Sequence, residues 1–248
     1  MRMQSAALTY TGRRKNNEDD YCCVDDAGLF AVADGMGGYE GGEVASRLTV
    51  EALERFVRRV AKDGEATWPH AANPKLTLQE NVVSVAVHYA NDCVLEQRKG
   101  PLSEMGATVA AIYVRGNEAI ICHVGDSRVY RLRDGALQQL TRDHSLYAEM
   151  QAKGLELPPR EEYPYANVIT RALGVMNGEQ PELRREEALP GDTFLLCTDG
   201  LTEKLPESEM ARLLASSDLT QACKALVSEA YNRGGRDNIT CVLVRLLP

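Results

Sequence analysis

The sequence predicts an α+β fold in which helices pack on the outside of antiparallel β-sheets. The periodic segments come in blocks: short strands, two long helices, further strands, two more helices and a closing strand. Two successive hairpins in the middle of the chain favour antiparallel sheet over parallel βαβ units. No internal repeat, low-complexity tract or clear linker interrupts the pattern, so residues 1–248 are expected to form one domain.

The first third of the chain predicts three strands and two helices. Short apolar segments at residues 8–11, 21–24 and 29–33 indicate strands, and the glycine-rich residues 35–42 indicate a loop. Apolar residues then recur at helical spacing over residues 45–60, opposite a charged face. A second apolar stripe predicts a helix over residues 78–97.

The rest of the chain predicts strands followed by helices. Asp134-Gly135 is a strong two-residue hairpin turn between two of the strands. Short helical pieces are expected at residues 145–153 and 167–173, where proline and weak periodicity limit regular structure. The remaining predictions are strands at 108–114, 119–124, 129–133, 136–140, 193–198 and 239–246, and helices at 207–215 and 219–233.

Bulk composition excludes several classes of protein. The formal net charge is −8, from 36 acidic and 28 basic residues, which argues against nucleic acid or an anionic membrane as the main partner. No signal peptide is recognisable, and no apolar stretch is long enough to span a bilayer. The seven cysteines are scattered and form no C-x-x-C pair, so a reduced, cytoplasmic protein is expected. The oligomeric state is not readable, and a monomer is the working expectation.

Five aspartates share one setting, because each lies where an apolar strand begins or ends. If these strand ends converge, the carboxylates form a basin that repulsion would destabilise unless cations were bound. All-oxygen ligands suit hard ions such as Mg²⁺ or Mn²⁺, and the lack of clustered histidine and cysteine disfavours zinc. The five residues are Asp19, Asp34, Asp126, Asp199 and Asp237.

A plainer interpretation competes for each aspartate taken singly. Asp-Gly is usually only a turn, and hairpin geometry explains Asp134-Gly135 completely. The recurrence of the pattern, together with the neighbouring residues, favours a common site for the five.

The neighbouring residues resemble the motifs of the PP2C-type (PPM) metal-dependent protein phosphatases. M-G-A-T (residues 105–108) and T-R-A-L-G (170–174) are similar to further family segments, and the compact length and the D-G-M-G-G form resemble the bacterial branch. The resemblance runs from about residue 8 to 244. The main segments, in chain order, are R-K-N-N-E-D (14–19), V-A-D-G-M-G-G (32–38), V-G-D-S-R (124–128), C-T-D-G-L (197–201) and G-R-D-N-I-T (235–240).

The resemblance implies a fold and a reaction. The fold would be two antiparallel sheets packed face to face, with helices on both outer sides. The reaction would be hydrolysis of phosphoserine and phosphothreonine in proteins by a water activated at two, or three, Mn²⁺ or Mg²⁺ ions. The implied partners are phosphorylated proteins, including those made by a Ser/Thr kinase, whose action the phosphatase would oppose.

The resemblance also implies residue roles. Asp34 would bridge two metals, with the Gly35 carbonyl on one of them, and Asp199 and Asp237 would complete the other shell. Glu18 and Asp19 would hold metal-bound waters or contact the second ion. The remaining implied roles are a weaker third-metal site at Asp126 with Asp199, substrate phosphate binding by Arg14, and either orientation of Asp237 or capping of the turn by Asn238.

One position departs from the family pattern. Many eukaryotic members carry histidine after the Asp-Gly pair, as a proposed proton donor to the leaving group, whereas this chain has Met36. His88 and His123 are expected to be structural, which leaves His144 or a metal-bound water as the acid. Residues 141–171 contain the segment called the flap in bacterial relatives, and their prolines and mixed charge predict a substrate-contacting loop.

Two other functions compete with an active phosphatase. A binding module of the same fold would recognise phosphoproteins without hydrolysis, and a degenerate metal set would mark it. A metal-dependent nuclease shares the carboxylate chemistry but needs a basic groove, of which the net charge gives no sign. Because the five aspartates, Glu18 and Arg14 are all present, the active phosphatase is preferred.

Overall fold

Two antiparallel sheets form the centre of the computed structural model, which describes residues 1–38, 40–64, 66–175 and 180–248, without the side chain of Glu161. Both sheets contain strands from distant parts of the chain. In spatial order, the five-stranded sheet contains β1 (Arg2–Tyr10), β11 (Ile239–Leu247), β10 (Thr193–Cys197), β7 (Arg128–Arg133) and β8 (Ala136–Gln139).

The six-stranded sheet is also antiparallel in every pairing. Its path is β2 (Asp19–Val24), β3 (Leu29–Met36), β5 (Val109–Arg115), β6 (Glu118–Val124) and β9 (Glu182–Glu187), with the short β4 (Gly106–Ala107) pairing to the end of β3. The predicted hairpins β5–β6 and β7–β8 are present, but they belong to different sheets. The chain therefore crosses from one sheet to the other between residues 124 and 128.

Six α-helices flank the sheets in the part of the chain that the structure describes. The second begins at a capping box, in which the Thr77 hydroxyl accepts from the Glu80 N–H and the Glu80 carboxylate accepts from the Thr77 N–H. The helices of the described residues are α1 (Gly41–Lys62), α2 (Leu78–Gln97), α3 (Leu146–Ala152), α4 (Asp199–Thr202), α5 (Glu207–Leu214) and α6 (Leu219–Asn232).

Strand alternation produces three packed interfaces. Along β3, Phe30 and Val32 face the other sheet, whereas Leu29 and Ala31 face the helices α1 and α2. Along β11, Val242 likewise faces the six-stranded sheet, and the residues on its other face pack against α6. The layers are thus helix, sheet, sheet and helix, which confirms the expected sandwich.

Three sequence predictions were wrong in detail. Residues 167–173 form turns and two isolated bridges, Ser145 to Ile169 and Ala107 to Leu173, instead of a helix. The predicted glycine-rich loop is shorter than expected, since β3 continues through Gly35 to Met36, and Gly41 and Gly42 begin α1. Asp34 accordingly lies within β3 and not beyond its end.

Three elements have no counterpart among the predictions: the two-residue β4, the edge strand β9 and the helical turn α4. β9 is a charged edge strand of sequence E-L-R-R-E-E, so it lacks the apolar run by which the other strands are recognised. The helical turn α4 begins at Asp199 directly after β10. Within the described residues, none of the helices combines the length and apolar character needed to cross a bilayer.

Candidate metal centre

A cavity of about 390 Å³ opens at one end of the two sheets. Its lining draws on segments that are far apart in the sequence and meet only in the folded chain. Eight of the nine predicted site residues line it: Arg14, Glu18, Asp34, Gly35, Asp126, Asp199, Asp237 and Asn238.

The ninth predicted residue, Asp19, lies behind the cavity wall. It is directly opposite Asp34 in the β2–β3 ladder, so the two side chains share one face of the sheet. Asp19 is 7% exposed, and its Oδ2 accepts from the Thr198 hydroxyl at 2.8 Å. Thr198 immediately precedes Asp199, so this bond ties the two sheets together beneath the carboxylates.

Asp126 lies on the crossing between the sheets. The hydroxyl groups of Ser127 and Thr108 form a hydrogen bond of 2.7 Å. The Thr108 hydroxyl also accepts from the Asp34 N–H, and the Thr108 N–H donates to the Asp34 carbonyl. On the other side, the Gly125 carbonyl accepts from the His144 N–H at 2.9 Å, and the Gly125 N–H donates to His144 Nδ1 at 3.1 Å. The Asp126 carboxylate is thereby fixed relative to Asp34.

Asn238 holds the third part of the site in place. Its side-chain amide donates to the carbonyls of Thr11 and Asn16, and its Oδ1 accepts from the Glu18 N–H. The side chain therefore holds the loop that carries Arg14 and Glu18. Asp237 is oriented by a backbone bond instead, from the Asn238 N–H to Asp237 Oδ1 at 2.8 Å.

Arg14 is the member of the basic trio that faces the cavity. Its guanidinium donates to Asp237 Oδ2 at 2.7 Å, while its side chain stays 57% exposed at the rim. Arg13 stacks instead over the Tyr231 ring, 5.3 Å from the centroid. Lys15 does not line the cavity.

Crowding at the cavity wall requires glycine at two places. A Cβ on Gly35 would lie 1.9 Å from the Gly42 carbonyl oxygen and 2.7 Å from that of Glu18. A Cβ on Gly42 would lie 2.6 Å from a Glu18 carboxylate oxygen. The backbone of Gly35 can therefore pass beside Glu18 only because both positions lack side chains.

The electrostatics of the cavity are unfavourable for carboxylates alone. Burial, reinforced by the neighbouring aspartates, raises the pKa of Asp34 and of Asp199 well above the ordinary range. Burial likewise raises the pKa of Asp19 to about 7 and that of Asp126 to about 6. Glu18 is shifted in the same direction, again mainly by burial.

Two buried oxygens of this cluster have no hydrogen-bond partner within the described structure, Asp19 Oδ1 and Asp199 Oδ1. Buried polar atoms are normally paired, so these atoms indicate a missing ligand. Several carboxylates, with no histidine or cysteine among the described lining residues, make a set that fits hard divalent cations. The residues present therefore fit Mn²⁺ or Mg²⁺.

Met36 lines the cavity, and none of the described lining residues is a histidine. His144, the alternative proton donor considered from the sequence, is 6% exposed and lies outside it. Burial and the adjacent His123 lower the pKa of His144 to about 4, so its ring is neutral at pH 7. The sequence prediction of an acid at His144 gains no support from this position.

His144 also forms a cluster with His123 and Glu182 in which ligand atoms lie within 4.8 Å of one another. Hydrogen bonding argues against a metal there. The Nδ1 lone pair of His144 accepts the Gly125 N–H, so the proton of the neutral ring is on Nε2, facing Glu182 at 3.4 Å. His123 Nε2 faces the Arg142 carbonyl, to which it can only donate.

Sequence reasoning missed several residues that line the cavity. Asn167 and Glu203 meet across its mouth, where the Asn167 amide donates to Glu203 Oε1 at 3.0 Å. Neither residue has a motif around it that marks a site. Thr108 was within reach, because it ends the M-G-A-T segment that resembles the family.

Comparison with known proteins gives the same result along the whole chain. Residues 11–245 match the family described as protein phosphatase 2C. The serine/threonine phosphatase stp of Listeria monocytogenes is 35% identical over 253 residues, covering 98% of this chain and 95% of that protein. Protein phosphatase PhpP of Streptococcus pneumoniae is 33% identical over 257 residues, covering 98% of each.

Solved structures agree with the fold. The serine/threonine phosphatase PstP/Ppp of Mycobacterium tuberculosis superposes with a TM-score of 0.87 at 32% identity, covering 100% of both chains. A PstP catalytic domain in complex with two manganese ions gives a TM-score of 0.83 at 32% identity, covering 99% of both. Since the family match includes every residue of the aspartate cavity, this chain belongs to the protein phosphatase 2C family.

Proposed function

We propose that this chain is a metal-dependent protein phosphatase that hydrolyses phosphoserine and phosphothreonine. The observation that carries the proposal is the convergence of buried carboxylates with unpartnered oxygens beside one exposed arginine. The family match and the names of the relatives, serine/threonine phosphatases, support the same reaction.

The proposed ligand roles follow the carboxylate arrangement. Asp34 and the Gly35 carbonyl would hold one ion, and Asp34 would share a second with Asp199 and Asp237. Asp19 and Glu18 would support this pair of ions, and Asp126 with Asp199 would hold a weaker third. Ions bound there would activate water and neutralise charge on the phosphoryl group.

The protein groups around the site have their own tasks. Arg14 has guanidinium donors beyond the bond to Asp237, and its planar fork matches two phosphoryl oxygens. The carboxylates and Asn238 hold their positions before substrate arrives, so little reorganisation is needed. Met36 cannot donate a proton to the leaving oxygen, so the proposed acid is water in the cavity.

Metal-dependent turnover tests the proposal directly. We expect hydrolysis of an aryl phosphate and of a phosphothreonine peptide with Mn²⁺ or Mg²⁺, and loss of both activities with a chelator. Asp34→Asn should lower kcat by roughly a thousandfold or more. Asp134→Asn is the matched control, because Asp134 lies in an exposed hairpin turn with φ of 51°. Turnover that survives chelation or Asp34→Asn would contradict the mechanism, and phosphopeptide binding without turnover would favour the binding module.

The proposed partners follow from the reaction class. Phosphoserine and phosphothreonine are products of protein kinases, so we propose a Ser/Thr kinase as the enzyme whose action is opposed. The seven free cysteines suit a reducing compartment, and we propose the cytoplasm.

A further inference from the structure

A second cavity adjoins the aspartate site. Its volume is about 290 Å³, and it lies between the segment at residues 160–167 and the turn after α4. Both cavities are lined by Asn167 and Glu203, whose side chains are joined by the 3.0 Å hydrogen bond. One side-chain pair therefore separates the two cavities.

Of the described residues, three basic side chains line this second cavity, Arg128, Arg160 and Lys204, against one carboxylate, that of Glu203. Asp143 lies beside them, and its side chain is only 6% exposed. It accepts two bonds from Arg128, at 2.6 and 2.7 Å, and one from Arg160 at 2.8 Å. Among the described residues at this cavity, three basic groups thus stand against the two carboxylates of Asp143 and Glu203, in a chain whose net charge is −8.

Donors remain available on two of the three basic residues. Arg128 uses Nε and both terminal nitrogens for Asp143 and Tyr130. Arg160 bonds Asp143 through one terminal nitrogen, which leaves its other N–H groups without a partner among the described side chains. Lys204 is exposed and has no ion pair within that same set.

We propose that this cavity binds a second anionic side chain of the protein substrate, while the phosphorylated residue occupies the aspartate site. The inference rests on the proposed function and deepens it, because it specifies which phosphoproteins are preferred. The arginine fork and the ammonium group of Lys204 match the oxygens of a phosphoryl group or a carboxylate. Because the two cavities share the wall of Asn167 and Glu203, one peptide can place a group in each of them.

Peptides that differ only in the second group provide the test. Each peptide carries one phosphothreonine, and a position one to four residues away is alanine, glutamate or a second phosphothreonine. We expect at least one spacing at which glutamate or phosphothreonine lowers KM relative to alanine by roughly tenfold. A gain limited to phosphothreonine identifies the second group as phosphoryl, and a gain with both identifies any carboxylate or phosphoryl group.

Lys204→Gln should raise KM for the peptides with a second anionic group close to the value for the alanine peptide. It should leave kcat on the aryl phosphate unchanged. Lys224→Gln is the matched control, because Lys224 is exposed on α6 and does not line either cavity. Equal KM values for the three peptides at every spacing, or equal effects of Lys204→Gln on all three, would overturn the inference.

Binding measurements separate this inference from the proposed function. If the aryl phosphate is not hydrolysed, fluorescence anisotropy of the labelled peptides still reports their relative affinities for the full chain. A preference for the doubly anionic peptides that is lost in Lys204→Gln would then support the cavity while the reaction itself failed. Equal affinities would reject the cavity.

Discussion

The aspartates of this protein differ in burial and in pKa because their surroundings differ. Asp134 is exposed in a hairpin turn, whereas burial and three or more neighbouring carboxylates raise the pKa of Asp34. The recurrence of aspartate at strand termini predicted which residues converge. It could not predict which oxygens lack a partner, because the Thr198 hydroxyl that pairs Asp19 Oδ2 comes from a distant segment.

Glycine at position 35 provides a prediction at this scale. Gly35→Ala should destabilise the protein by about 1–3 kcal/mol and weaken Mn²⁺ binding, because the new methyl group would lie 1.9 Å from the Gly42 carbonyl. Thermal unfolding with and without Mn²⁺ measures both effects. Gly38→Ala is the control, since its Cβ meets no atom within 4 Å. Equal stability of the two variants would contradict the steric argument.

Asn238 provides a second prediction at the residue scale. Asn238→Asp keeps the shape of the side chain but places a carboxylate against the carbonyls of Thr11 and Asn16. In the unmodified protein, these carbonyls accept hydrogen bonds from the Asn238 amide. We expect a loss of about 1–3 kcal/mol in the free energy of unfolding, because two partly buried carbonyl groups lose their donor and face a carboxylate instead. Urea titration at pH 7 measures it, with the exposed Asn232→Asp as the matched variant. A loss no larger than that of Asn232→Asp would show that the loop is held by other contacts.

At the scale of elements, strongly periodic segments were predictable and tertiary pairing was not. The helix at residues 78–97 was predicted to its observed ends, because its stripe and its Thr77 cap are local features. The helix predicted at residues 167–173 was wrong, because β-bridges to Ser145 and Ala107 outweigh the weak helical pattern of this segment. β9 escaped prediction because its strand character depends on pairing with β6, and not on apolar side chains.

The segment at residues 141–171 can be divided on structural grounds. Thr141, Asp143, His144 and Ser145 are buried and hold the Asp126 crossing, and the Ser145–Ile169 bridge closes the base. Replacement should therefore be confined to residues 146–168. These residues line the mouth of the aspartate cavity through Asn167 and the adjoining cavity through Arg160.

Replacing residues 146–168 by a short glycine–serine linker should raise KM for phosphoproteins by roughly tenfold or more and change aryl phosphate turnover by less than about threefold. The reason is that a small substrate needs the carboxylates and Arg14, whereas a protein substrate also contacts the rim. Steady-state kinetics on both substrates measures the split. Circular dichroism of the variant serves as the control for folding. Equal loss on both substrates would contradict a role in substrate choice.

At the scale of the whole molecule, the cavity carboxylates link stability to pH and metal. In the metal-free protein, the folded-state pKa values of Asp19 and Asp126 are raised from 3.8 to about 7 and about 6. The stability associated with these groups is fully present below pH 4 and is lost as pH rises through 6 and 7. The slope is roughly 1.4 kcal/mol per pH unit for each carboxyl group that retains its proton only when folded.

We therefore expect the thermal midpoint of the chelated protein to decrease as the pH is raised from 5 to 8. Saturating Mn²⁺ should raise the midpoint more at pH 8 than at pH 5, because ligand carboxylates must be deprotonated to bind a cation. Calorimetry with a chelator and with Mn²⁺ gives both curves. Asp34→Asn should reduce the change of the midpoint with pH in the chelated protein. A midpoint that rises with pH in the chelated protein would contradict the assignment.

The position of β11 has a consequence for biosynthesis. β11 lies between β1 and β10, and β1 has no other neighbour in its sheet. β1 and the loop carrying Arg14 therefore emerge from the ribosome early, but β1 has no neighbouring strand in its sheet, and Arg14 lacks Asp237, until residues 237–247 follow. Arg14 and Asp237 are separated by 223 positions along the chain, yet they meet in one ion pair. A nascent chain that ends before residue 237 lacks part of the carboxylate set, and one that lacks β11 leaves β1 without its neighbouring strand, so hydrolytic activity cannot begin before synthesis of this strand is complete.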